Sequence, residues 1–575
     1  MTEHTAFEAN HVVGPLPWPD HSALPSAMTL PELIEDIAHR TPQAPALVAG
    51  DVRLSYSELA EKIRAFAASL ADLGVGRGSR VAVLGPNISE WMIAVYGAMR
   101  LGARVDAFNT WVRAWDLEHL LAVSEAEVVV TVSSARKADI LAEFAQLLPE
   151  LWDAPVGGAV HSLRFPELRH LIVIGDGSAG TPVPAVAWLF NELLSTPDEW
   201  PTPACAAQAD DPAFVLYTSG STQKPKAVPL THRALIENAY AIGLRMGIGA
   251  DDRIWLGSPL FWSFGVANVA GVAITHGACL VLQEAFTPDS AADVLAAEQC
   301  SAIYLLPSMA DALAAQVPEK ISAIDSLRTG LTIGRPDEIQ RIVSDLNIPE
   351  ICNIYGSTET YGNCCVTSHS DSLEVRLTTQ GPPLPGVMLR VVDLENGETL
   401  GPNTPGELQV RGRITPGYLD NDEANAAAFT SDGWFRTGDT VSIDDAGYVQ
   451  FHSRHTDMIK TSGINVSPAE VETFISTHPA VAEVAVVGAD HPSRGEVVVA
   501  FVVAEPGSTL DGDEIRTFCR SGMASYKAPW VVEVVLELPR TQTGKMVRKD
   551  LRTHACEAVD RAVHAAAASG SAHGH

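Results

Sequence analysis

The stretch Tyr217-Thr-Ser-Gly-Ser-Thr-Gln-Lys-Pro-Lys-Ala-Val228 sets hydroxyls at Thr218, Ser219, Ser221 and Thr222 around Gly220, with Lys226 close behind. Polyphosphate oxygens require this combination of successive backbone N–H groups, hydroxyls and a point-charge lysine, so the segment reads as a phosphate loop. Its glycine spacing and lysine position differ from the G-x-x-x-x-G-K-[ST] loop, and on its own it could equally be a polar surface loop. The chain carries 39 Lys and Arg against 70 Asp and Glu, a net charge of −31. That balance argues against nucleic acid or an anionic membrane surface as the principal partner, because both need clustered basic side chains. Any bound polyphosphate must then be held locally, by the loop, a few basic residues and a metal ion.

Eight cysteines are scattered without a C-x-x-C pair or a histidine at ligand spacing, and read as reduced, mostly buried thiols. Adjacent Cys364 and Cys365 in an extended chain would point to opposite faces, which makes them structural. The N-terminus lacks an apolar core, and the most apolar run, near Gly265 to Ile274, is too short to span a bilayer. These features predict a soluble, cytoplasmic protein.

The elements that must position the loop follow from periodicity. Apolar residues recur at helical spacing over Ser55 to Leu73 and Trp91 to Leu101, while Arg80 to Leu84, Val128 to Val132, His170 to Ile174 and Phe214 to Tyr217 read as buried strands. Strands alternating with helices imply parallel sheets with helices on both faces, an α/β class. The phosphate loop falls between the strand ending at Tyr217 and a helix from about His232. After about Pro382 the character changes to short strands (Leu389 to Val392, Gly406 to Arg411, Tyr448 to Phe451) separated by Gly and Pro turns, a small β-rich subdomain over about 382–453. A compact α+β unit follows over 454–555, with helices over Pro468 to Ser476 and Asp513 to Ser521 around strands Val481 to Val487 and Glu496 to Val503. Residues 556–575, rich in Ala, Ser and His, read as a weak helix running into a flexible tail. The domain expectation is therefore 1–453, then a mobile 454–555, then the tail.

The loop resembles the Y-T-S-G-[ST]-T-G-x-P-K-G signature of the adenylate-forming superfamily, which includes acyl-CoA synthetases, aryl-CoA ligases, firefly luciferase and peptide-synthetase adenylation domains. Four further segments match in order and spacing: Tyr355-Gly-Ser-Thr-Glu359; Trp434-Phe-Arg-Thr-Gly-Asp439; Arg454-x-x-Asp-x-Ile-Lys460 with Gly463 and Pro468-x-Glu-Val-Glu472; and Pro539-Arg-Thr-Gln-Thr-Gly-Lys545. The resemblance covers about residues 30 to 552. It implies that Tyr355 stacks on the adenine of ATP, that Thr358 hydrogen-bonds the α-phosphate, and that Glu359 ligates Mg²⁺, a hard cation that takes oxygen ligands. It implies that Asp439 accepts the ribose hydroxyls, with Arg454 as its partner. Lys545, in a Gly/Thr-rich loop where a lone lysine is ordinarily solvated, would hold the acid in line and stabilise charge at the α-phosphate, a role worth on the order of 10²-fold in rate. The C-terminal domain would first present Lys545 and then rotate to admit a thiol, with a hinge at Thr456 and a pantetheine tunnel lined by Lys460 and Gly463.

Several positions depart from the pattern. Gln223 and Ala227 stand where relatives usually have glycine, beside an extra Lys224; were positive φ needed there, each would cost roughly 1 kcal/mol. Trp262, in Pro259-Leu-Phe-Trp-Ser-Phe-Gly265, replaces a frequent histidine and with Phe264 would wall the acid pocket, favouring a compact acid. Gly334 and Arg335 fall at a turn flanking adenine and acid, and Arg335 could anchor a second polar or anionic substituent or belong to the surface of the next helix. The leading expectation is an AMP-forming ligase that adenylates a small or medium carboxylic acid and passes it to coenzyme A, with a separate carrier protein as a variant acceptor. The alternatives are ATP-dependent activation of nitrite with diazotisation of an aryl amine, and a nucleotide-binding relative without turnover.

Overall fold

A computed structural model describes residues 11–18, 24–156, 159–175, 177, 180–194, 203–218, 225–454, 458–539 and 548–569. The chain forms two units. The first comprises Met1–Thr110, Leu121–Tyr217 and Ala227–His455; the second comprises Trp111–Leu120, Thr218–Lys226 and Thr456–His575.

Among the described residues, the first unit holds two large sheets. One runs, in spatial order, Cys365–Val366, Glu350–Tyr355, Thr329–Thr332, Ala302–Tyr304, Arg253–Leu256, Cys279–Leu282, Pro45–Ala49 and Val52–Ser55. Its interior pairs are parallel and its two edge pairs antiparallel. The other runs Lys226–Thr231, Pro212–Thr218, Arg104–Phe108, Arg80–Leu84, Val128–Val132, His170–Ile174 and Trp188–Leu189. Strands such as Val128–Val132 are buried along their whole length, as expected where helices cover both faces. Helix starts are explicit in the sequence: Thr29 and Ser55 each close a capping box with the glutamate three residues on. The helix Pro288–Ala297, its neighbours and the strands beneath them bury Trp255, Leu295, Leu313, Ile339 and Ile351 in one core. The β-rich part is an antiparallel sheet of Val387–Val392, Gly406–Gly412, Phe435–Ile443 and Val449–Arg454.

In the second unit, Ile459–Thr461, Ile464–Val466, Val481–His491, Gly495–Ala504 and Val531–Val534 make a sheet flanked by helices Pro468–Ile475, Gly512–Gly522 and Arg548–Ser569. Two apolar clusters cover its faces, one around Val471, Ile475, Ile515 and Cys519, the other around Val499, Leu551, Ala555 and Val559. The mixed α/β architecture with a β-rich subdomain and a small α+β unit is as the sequence predicts.

Two expectations are corrected. The final helix runs to Ser569 and buries Ala555, Ala558 and Val559, so 556–569 is helix rather than flexible tail; Ala555 and Val559 hold it in the apolar cluster on the sheet. The phosphate loop joins two neighbouring strands, Pro212–Thr218 and Lys226–Thr231, and the helix at His232 follows only after the second. The run Lys226-Ala-Val-Pro-Leu-Thr231 is β-prone, and Pro229 excludes an interior helix turn. Among the described residues, no helix is long and apolar enough to cross a membrane.

Candidate active site

Three segments leave the carboxyl ends of strands in the eight-stranded sheet, where open α/β sheets bind ligands. They are Ser258–Phe264 after Arg253–Leu256, Gly334–Arg335 after Thr329–Thr332, and Gly356–Thr360 after Glu350–Tyr355. The last folds back on itself tightly enough that a Cβ on Gly356 would collide with the carbonyl of Gly362. Only glycine fits at that position.

Tyr355 ends its strand with its hydroxyl donating to Asp439 Oδ2 at 2.7 Å. Both side chains are buried, and Phe451 stacks on the tyrosine ring at 6.3 Å. Burial, and then the Asp439 charge, hold the phenol well above its ordinary pKa, so it remains a donor. Asp439 is the cross-strand partner of Arg454 in the β-rich sheet, and its own N–H donates to Thr437 Oγ1 at 3.2 Å. The structure thus brings together Tyr355, Asp439 and the backbone of Arg454.

Thr358 and Glu359 open a short 3₁₀ turn. Thr358 Oγ1 donates to Ser263 Oγ at 3.4 Å, joining this turn to the segment of Trp262. Glu359 Oε1 accepts from the Tyr418 hydroxyl at 2.9 Å, and its backbone carbonyl accepts from the Thr415 N–H. Burial and the neighbouring carboxylate raise the Tyr418 phenol pKa, so it too stays a donor. The second oxygen of Glu359 makes no hydrogen bond among the described residues. A carboxylate oriented through one oxygen with the other open suits Mg²⁺, which binds through one or two carboxylates plus substrate phosphates. Among the described residues there is no His/Cys/Asp/Glu cluster that would cage a metal by itself.

Trp262 and Phe264 are half-buried, in edge-to-face contact with Phe261 and Tyr304 at 6.3 and 5.0 Å. Phe264 begins a π-helical turn, Phe264–Ala270, a feature frequent at functional sites. Gly334 is half-buried beside Glu338. Of the two readings of Arg335, its placement fits the surface of the next helix: the side chain is 74% exposed and paired with Glu338 and Asp337 at the start of helix Pro336–Asp345. Those two acids in the helix's first turn draw the guanidinium outward.

In the second unit, Thr218 and Lys226 bracket the phosphate loop at half-buried positions, and Ala227, the next strand residue, has no positive φ and hence no strain. Ser219, Gly220, Ser221, Thr222, Gln223, Lys224, Thr456 and Lys545 lie outside the described residues, as does the side chain of Arg454. Lys460 and Gly463 belong to a hairpin rather than a loop: Ser462 and Gly463 both take positive φ, +49° and +83°, the primed turn that two-residue hairpins favour. Lys460 is exposed. The same unit contains a buried ion triad, with Lys527 Nζ 2.7 Å from both Asp116 and Glu470.

Sequence reasoning missed Tyr418, Ser263 and Asn87. Asn87 donates to the carbonyls of Ser258 and Gln283 and accepts from the Leu260 N–H, pinning the segment that leads to Trp262. Its place just after the strand Arg80–Leu84 was the available signal. The adjacent Cys364 and Cys365 are free thiols with sulfurs 4.0 Å apart, so they do not point to fully opposite faces.

A profile of the AMP-binding enzyme family matches residues 34–419, and one of the AMP-binding enzyme C-terminal domain matches 470–545. Over 538 residues the chain is 30% identical to the putative acyl-CoA synthetase YngI of Bacillus subtilis, covering 92% of this chain and 97% of that one. It is 31% identical to the acyl-CoA ligase SID4 of Ajellomyces capsulatus over 551 residues, 91% of each chain. A double mutant of o-succinylbenzoate CoA synthetase from Bacillus subtilis, bound with a product analogue, superposes with a TM-score of 0.75 at 25% identity and covers 91% of this chain and 98% of that one.

Proposed function

Because the chain belongs to the AMP-binding enzyme family, we infer from its site that it joins a carboxylic acid to coenzyme A at the expense of ATP. It is an AMP-forming acid–CoA ligase. The acid's oxygen attacks the α-phosphorus, the bond to the bridging oxygen breaks, and pyrophosphate leaves. The thiol sulfur then attacks the acyl carbon, AMP departs with the former carboxylate oxygen, and the thiol proton is released. The nitrite-activating alternative has no support among these relatives.

The observation that carries this reading is the pair of carboxylates, Asp439 and Glu359, each oriented by a tyrosine hydroxyl. An acceptor fixed by a buried phenol is suited to paired ribose hydroxyls. In the same reading Tyr355 stacks on adenine, Thr358 meets the α-phosphate, and Thr218 and Lys226 flank the polyphosphate with Ser219, Gly220, Ser221 and Thr222. Glu359 would hold Mg²⁺, which supplies charge neutralisation to the phosphates when bound. Lys545 aligns the acid oxygen and the α-phosphate, Arg454 supports the nucleotide, Thr456 is the pivot, and Lys460 and Gly463 line the thiol's approach. Trp262 and Phe264 wall the acid site and favour a small or medium acid. Eight free cysteines support a reducing, cytoplasmic setting. A carrier-protein thiol is the alternative acceptor.

Acid-dependent exchange of labelled pyrophosphate into ATP tests the first half-reaction. Exchange across a panel of small and medium acids is expected, and its absence with every acid would defeat this reading.

A further inference from the structure

The loop that begins with Thr358 and Glu359 ends in a buried amide. Asn363 is 1% exposed, and among the described residues neither its Nδ2 nor its Oδ1 has a hydrogen-bond partner. Asn268, on the π-helical turn that starts at Phe264, is fully buried; its Nδ2 donates to the Tyr361 carbonyl at 3.1 Å and its Oδ1 has no partner. Asn268 packs against the backbone just before Asn363, since a Cβ on Gly362 would fall 2.5 Å from Asn268 Oδ1. The backbone between them is fixed in an unusual shape. Tyr361 and Gly362 both have positive φ, and Asn238 Nδ2 clamps the carbonyls of Tyr361 and Asn363, each at 3.1 Å. Buried amides in folded proteins are nearly always paired. Among the described residues, the orphaned donor of Asn363 and the orphaned oxygens of Asn363, Asn268 and Asn238 all belong to side chains carried by or bonded to the Tyr361–Asn363 backbone, which is the composition of a recognition site.

We propose that Asn363, with Asn268, forms a specificity subsite for a hydroxyl substituent on the acid, so that the ligase selects a hydroxylated acid over its plain hydrocarbon counterpart. A hydroxyl accepts from Asn363 Nδ2 while donating to one of the two amide oxygens. A ketone would leave both acceptors unmet. Arg335 is not placed to meet a second carboxylate, because it faces solvent against Glu338 and Asp337. This inference rests on the acid–CoA ligase reading.

The test compares thioester formation for matched acids, with and without a hydroxyl on the same skeleton, in wild type and Asn363→Leu. Wild type should prefer some hydroxylated member by about 10²-fold or more in kcat/KM, since a site built to bond a hydroxyl rejects the analogue lacking it. The variant should lower that ratio by at least about 10-fold. The melting temperature of the ligand-free protein provides a readout independent of turnover. Replacing an unpartnered buried amide by leucine should raise it by about 1–2 °C. Wild-type indifference to the hydroxyl, an unchanged ratio in the variant, or a fall in melting temperature would each overturn the subsite. The last two outcomes would also expose an amide satisfied by an internal water. Absence of thioester with every acid would instead refute the ligase reading, leaving the melting shift to judge the amide.

Discussion

Replacing Tyr355 by Phe removes one atom and leaves the ring in place. The lost hydroxyl donates to Asp439 at 2.7 Å, and both partners are buried. Hydrogen bonds to charged groups contribute about 1.5–3 kcal/mol, more than neutral ones. The raised phenol pKa keeps the donor intact at every working pH, so this contribution is present throughout the range below the ordinary tyrosine value and lost only as pH climbs above it. For a cooperative unit of roughly 400 residues, that loss corresponds to a fall in melting temperature of about 2–4 °C. In the proposed reading the same bond holds the acceptor for the ribose. Releasing it should raise the KM for ATP by about 10-fold, while Tyr355→Ala, which also removes the stacking face, should raise it further. Calorimetric melting with ATP-dependent kinetics provides both readouts. If Tyr355→Phe melts within 0.5 °C of wild type, a margin set by the same scaling, and its KM for ATP is unchanged, the proposed coupling is wrong.

Other consequences follow from the same geometry. Lys527→Met strands the carboxylates of Asp116 and Glu470 in the interior and should cost about 3–5 kcal/mol in urea denaturation, most of it recovered when both acids are also made amides. Glu470, whose pKa burial raises despite Lys527, binds protons more tightly folded than unfolded, so it opposes folding as pH rises above the ordinary carboxylate range. Glu470→Gln should therefore lessen the loss of stability as pH rises above about 4.3, the ordinary glutamate value. Burial lowers the pKa of His232 to about 4, so its folded state favours the neutral ring and loses stability as pH falls below about 6.5. Relative to His232→Gln, wild type should lose about 3 kcal/mol more between pH 7 and 4 in matched urea titrations. Glu359→Gln should lower kcat on the order of 10²-fold and shift the Mg²⁺ dependence to higher concentration, read by pyrophosphate release at graded metal.

Much of the fold is written in local patterns. The helices at Tyr56–Asp72 and Ser89–Arg100 and the strands at Arg80–Leu84 and Val128–Val132 follow from period and β-branching, and the start of the first helix is marked by the Ser55 capping box. What escaped sequence reading depends on tertiary partners. The short strand Lys226–Thr231 exists because it pairs with the strand before the loop, and the last helix persists because Ala555 and Val559 are buried against a sheet. In the site, motif spacing located Tyr355, Thr358, Glu359 and Asp439. It could not reveal that Tyr418, distant in sequence, orients Glu359. That pairing joins residues far apart in the chain, which no local window encodes, whereas Arg335 turns toward acids two and three residues on, a local pairing in keeping with the helix-surface reading of its sequence. The π-helical turn and the unpaired amide of Asn363 were likewise invisible, since neither has a compositional mark.

The central claim is that ATP is cleaved to AMP and pyrophosphate to make a thioester, with Lys545 aligning the attack. Its most direct test is to quantify AMP, pyrophosphate and acyl-CoA from a panel of acids with wild type and Lys545→Ala. The account predicts equimolar AMP, pyrophosphate and thioester with at least one acid, and a drop on the order of 10²-fold or more in the variant. Formation of ADP, product formation indifferent to coenzyme A and driven by nitrite and an amine, or an undiminished rate in Lys545→Ala would contradict it.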